Sequence, residues 1–68
     1  MTLDEVLKTG YVQIEKMNES IQSRCSVFGL YEQSVLYMTS IVTGGYHVLM
    51  CDDRVLAVPR WICREIQV

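Results

Sequence analysis

Basic residues, prolines and paired cysteines are all scarce in this chain. Six Lys and Arg stand against eight Asp and Glu, which gives a formal charge of −2 and a pI near 5.1. Dedicated DNA-binding domains are usually basic, so the balance argues against nucleic acid as the partner while leaving room for a local basic patch. The three cysteines, Cys25, Cys51 and Cys63, are odd in number and show no C-x-x-C spacing. That argues against a secreted disulfide framework and for a reducing, cytoplasmic setting. The longest stretch without a charge, residues 33–51, is broken by Ser34, Thr39, Ser40, Thr43, Gly44, Gly45 and His47. It falls short of the roughly 20 mainly apolar residues of a membrane span. The opening MTLDEVLKTG carries acids where a signal peptide needs basic residues. Phosphate-cradling glycine loops, H-E-x-x-H and the G-x-S-x-G elbow are all missing, and the single His47 supports no Ser/His/Asp set. The expectation is a non-enzymatic chain with no cofactor and no metal.

What the chain has in quantity is apolar surface. Half of its 68 residues are hydrophobic and 21% are charged, too apolar for disorder. Residues 1–68 read as one domain, of a size that buries only about 60% of its unfolded surface. The surplus points to a second copy or a partner as cover.

Element signals run from end to end. Thr2 with Glu5 three residues later reads as a capping box. Leu3, Leu7, Gly10, Ile14, Met17 and Ile21 then repeat at 4-3-4-3-4 spacing, which predicts a long N-terminal helix. SVLYMTSIVT at 34–43, YHVLMC at 46–51 and RVLAV at 54–58 are rich in β-branched and aromatic residues. Gly44-Gly45 and Asp52-Asp53 between them read as two-residue hairpin turns. Helical spacing at positions 31, 35, 38 and 42 is the competing reading of 30–43. CSVFGLY at 25–31 is a fourth strand or a loop. Pro59 ends the last strand and can open a short C-terminal helix over PRWICREIQV. The fold class expected is α+β: a long N-terminal helix, an antiparallel three- to four-strand meander, and a short C-terminal helix.

The two turns fix a register. They set Val42 opposite His47, Ser40 opposite Leu49, Met38 opposite Cys51, Leu49 opposite Leu56 and His47 opposite Val58. One sheet face then holds Leu36, Met38, Ser40, Val42, His47, Leu49, Cys51, Leu56 and Val58. The other holds Val35, Tyr37, Thr39, Ile41, Tyr46, Val48, Met50, Val55 and Ala57. Both are apolar, whereas a sheet with one wet face alternates apolar and polar. A homo-oligomer is the expected consequence.

Candidate contact residues follow. Arg54, Arg60 and Arg64 gather in sequence around Trp61, and Trp and Arg are the residue types enriched at binding hot spots. The same set can meet phosphates with Trp61 as a stacking platform, or can simply be arginines packed round a Trp. Tyr37 and Tyr46 mark an adaptable, Tyr- and Met-rich strand region. His47 and Cys51 are about 13 Å apart if on one strand, too far for one zinc, and read as packed core residues. Asp52-Asp53 reads as a solvated turn. The leading functional reading is an interaction module, an oligomeric inhibitor or adaptor of an unidentified larger protein. A nucleic-acid-linked regulator using the Arg/Trp patch, and an oligomer binding a small ligand between subunits, are the alternatives.

Overall fold

The computed structural model describes residues 1–68, and its element order departs from expectation at the start. The capping box forms: the Thr2 N–H and Oγ1 donate to Glu5 Oε1 at 2.7 and 3.0 Å. It closes only a 3-10 turn, Leu3–Glu5, after which Val6 is already extended. There is no long N-terminal helix. The heptad spacing needed Gly10 as a placeholder, and Gly10 sits at φ +142, far from helical backbone. The chain instead makes β1 (Gly10–Gln13) and the short β2 (Lys16–Met17).

The true helix comes later and is brief: α1, Glu19–Val27. Asn18 caps it by accepting from the Ser20 N–H at 3.1 Å. At the other end the Gly29 N–H bonds Ser26 O and the Leu30 N–H bonds Cys25 O, a Schellman closure with Gly29 at φ +77. Residues 25–31, expected as strand or loop, are thus a helix end.

The rest follows the strand reading. β3 (Val35–Thr43), β4 (Tyr46–Cys51) and β5 (Arg54–Pro59) form a meander, and β1 adds to β3, for a four-stranded antiparallel sheet in the order β1-β3-β4-β5. Both turns are two-residue loops with positive φ at each residue, the type I′ pattern that matches strand twist. The β4–β5 register is as expected, Leu49 opposite Leu56 and His47 opposite Val58. The β3–β4 register holds at Val42–His47 and then jumps: Ile41 pairs with Val48 but Met38 with Leu49. Thr39 and Ser40 bulge out between them. Ser40 takes φ +64, and Thr39 Oγ1 donates to Val48 O at 2.6 Å. The jump spans two residues, so side chains keep their faces while Ser40 and Met38 lose their expected partners.

After β5 the chain makes only one helical turn, α2 (Arg60–Cys63), and then β6 (Ile66–Gln67), which pairs with β2. The core is one-sided. Leu36, Met38, His47, Leu49, Cys51 and Val58 are buried beneath Leu3, Ile14, Met17, Ile21, Cys25, Leu30, Ile62, Cys63 and Ile66. The other sheet face is open, with Tyr11, Val35, Ile41, Tyr46 and Val55 exposed. No helix is long and apolar enough to cross a membrane. All three thiols are free and buried, and burial pushes the Cys63 thiol up to about 12.

Asn18 tests the chain's closure, because it caps α1 and also donates to Glu65 Oε2 beside β6 at 3.0 Å. Asn18→Ala is expected to cost about 1–2 kcal/mol, read as a lower denaturant midpoint with an unchanged slope.

Candidate functional site

Asp4 sits in the 3-10 turn, and its carboxylate reaches three side chains, from β4 and from α2 and its cap. Oδ1 accepts from Arg60 Nε at 2.9 Å and lies 2.8 Å from His47 Nε2; Oδ2 lies 3.5 Å from Arg60 Nη2 and 3.3 Å from Arg64 Nε. Asp4 is 12% exposed and His47 2%. A buried imidazole needs a partner, and this is the one it has. The hydrogen bonds from Arg60, then His47, outweigh desolvation and hold the Asp4 carboxyl well below the usual carboxylate range. Asp4 thereby pins the N-terminal turn to β4 and fixes how α2 presents its arginines.

Trp61 stands between them on α2, half-exposed. The Arg24 guanidinium of α1 lies over its ring, 5.3 Å from the centroid, a cation–π distance. Arg60 and Arg64 keep 43% and 60% of their side chains exposed. Three arginines and one carboxylate therefore share this surface, a local excess of positive charge. Arg54 does not join them directly. Its guanidinium packs on Gly29 past the end of α1.

The six residues singled out from sequence thus divide. Arg60 and Arg64 meet on Asp4, with Trp61 on the same turn under Arg24; Arg54 lies apart beside Gly29; Tyr37 and Tyr46 belong to the open sheet face. Arg24 was missed, and Asp4 was not singled out from the acids of the opening segment. The one signal for a partner was a lone His in an apolar strand, but the partner is 43 residues away in sequence.

No group of three or more His, Cys, Asp or Glu side chains comes together to hold a metal ion. His47 and Asp4 are neighbours, but each is the other's partner and two guanidiniums already crowd the carboxylate. The largest hollow, about 600 Å³, lies elsewhere, between the N-terminal segment, β1 and Val68. Its carboxylate, Glu5, is taken by Thr2.

No family model matches this chain, and no curated protein matches it in sequence. A solved structure does match in fold: that of the manganese regulator SloR, with a TM-score of 0.84 and 18% identity over 96% of this chain. The match covers 32% of SloR, so the chain spans about a third of that protein's length. At this identity the likeness is one of fold. That neighbour is named as a regulator, which tells against the leading expectation of an inhibitor or adaptor of a larger protein. The expectation against nucleic acid, which rested on net charge, is withdrawn with it. Net charge misled because it sums over the whole surface, whereas a phosphate responds to charge within about a Debye length, roughly 10 Å.

The sign of the Asp4 contribution is testable. Its carboxyl is depressed in the folded state, so the stabilisation is fully present above the ordinary aspartate value of 3.8 and is lost as pH falls below it. Thermal melts from pH 7 downward should show Tm falling through the acid range. Asp4→Asn should be destabilised by about 1–3 kcal/mol at pH 7, with a flatter acid limb.

Proposed function

We propose that this chain is a regulatory module that works on nucleic acid, with the Arg24–Trp61–Arg60–Arg64 surface as its contact. The observation that carries this is the fold shared over nearly the whole chain with part of a manganese regulator. The arginine surface supports it physically. Guanidiniums bind phosphate through planar forks of donors, and three of them stand on adjoining turns of α1 and α2. Trp61, held under Arg24, stiffens the patch and leaves half its surface for a sugar or base. The part read for the module is binding, and the one His–Asp pair, closed off by two arginines, is read as structural.

Such contact is electrostatic and modest for one module, in the range of about 1–100 μM without sequence preference. Fluorescence anisotropy with a labelled mixed-sequence duplex of about 20 base pairs measures it across a salt series. About three phosphate contacts should give a slope of log K against log salt near −2.7. Arg24 has no carboxylate partner, so Arg24→Gln can be read without disturbing Asp4. It should reduce the slope by about 1. No binding at 50 mM salt, or binding that Arg24→Gln leaves unchanged, would contradict the proposal.

A further inference from the structure

The open sheet face is a second surface, independent of the arginines. Cross-strand pairing aligns Tyr11 with Tyr37, Tyr37 with Met50 and Met50 with Val55, one residue from each of the four strands. Strands lie about 4.8 Å apart, so the row is about 14 Å long. Tyr11 is 77% exposed and Val55 67%. The rings of Tyr11 and Tyr37 meet edge to face with centroids 5.0 Å apart, which fixes them before anything binds.

Charge enters this face only at its end. Arg54 turns to the opposite side of the sheet, against Gly29, and the strands send no Lys or Arg outward here. The β4–β5 turn places Asp52 and Asp53, both exposed, at the end of the row. Neither has a cationic partner, since every ion pair in the protein is made by Asp4. With Tyr11, Val35, Tyr37 and Met50 they line a groove of about 490 Å³.

We infer that this groove docks an amphipathic helix, its apolar side on the tyrosine–methionine–valine row and its Lys- or Arg-bearing end against Asp52 and Asp53. A helix with its side chains is about 10–12 Å across, a match for the row. The Asp52 and Asp53 carboxylates, paired with no cation although Asp52 accepts from the Cys51 thiol at 3.7 Å, call for cations and set the direction in which the helix lies. A second copy meets this requirement poorly: an isologous pair brings the same patch to itself, and this patch offers carboxylates and no cation. Phosphate-bearing ligands are repelled by the same charges, so the occupant differs from that of the arginine surface.

The test uses the isotopically labelled full chain and a synthetic helical peptide of about 14 residues, leucine-rich on one side with lysines at one end. Its counterpart carries glutamates for the lysines. Amide shifts on titration are expected at Tyr11, Val35, Tyr37, Met50, Asp52 and Asp53. The glutamate peptide should leave the spectrum unchanged. Asp52→Asn with Asp53→Asn should weaken binding about tenfold, the sum expected of two exposed ion pairs. Asn accepts the left-handed backbone of this turn, so an unperturbed free spectrum certifies the fold. Shifts located elsewhere, no shifts at millimolar peptide, or binding indifferent to the Asn pair would overturn the inference. So would a dimer in sedimentation that Tyr37→Ser abolishes, since that would put a second copy on this face. Duplex binding by the arginine surface is unaffected in each case, so the two readings fail separately.

Discussion

A carboxylate shielded from water keeps its charge only where donors surround it, and Asp4 has His47, Arg60 and Arg64 in that role. Each donor comes from a different stretch of chain than Asp4 itself. The consequence is mechanical: the first turn, the centre of the sheet and the turn after β5 are fastened at one point. A sheet this small has a buried face narrow enough that a misplaced N-terminal segment would uncover Leu36, Met38 and Leu49. Leu3, adjacent to Asp4, is fully buried over that core. The same fastening holds Arg60 and Arg64 half out of the surface, beside Trp61, in place of letting them swing free.

Polarity is divided between the two sides of the sheet. The covered side is reached through arginines and an indole; the open side is apolar and ends in two carboxylates. The overall charge of −2 is the sum of two surfaces of opposite character, and neither is visible in the sum. The fold is one that part of a manganese regulator shares.

The strands β3, β4 and β5 and both hairpins were legible because their signals are local. Gly44-Gly45 and Asp52-Asp53 impose positive φ, and the alternation between them assigns faces that the bulge at Thr39-Ser40 does not disturb. The N-terminal helix was misread because hydrophobic spacing alone cannot tell a heptad from a 3-10 turn, the end of a strand, a second strand and a later helix that supply Leu3, Ile14, Met17 and Ile21 in turn. Leu3, Ile14, Met17 and Ile21 are indeed buried, but Leu7 is exposed. The brief α1 was hidden because its evidence was punctuation, Asn18 before it and Gly29 after it, and not an apolar stripe. The site was half legible. Arg60 and Arg64 do meet in space while Arg54 does not, and Asp4 and Arg24 arrive from distant positions that no spacing rule connects. The expectation against nucleic acid rested on net charge, a quantity that carries no position.

The most direct test is to map where a duplex touches the protein. Amide shifts of the labelled full chain, titrated with a mixed-sequence duplex at low salt, resolve every residue at once. The account predicts that the largest changes fall on Arg24 in α1 and on residues 60–64, with the Trp61 indole N–H among them and the open sheet face silent. Changes centred on Tyr37, Met50 and Val55, or none at all, would contradict it.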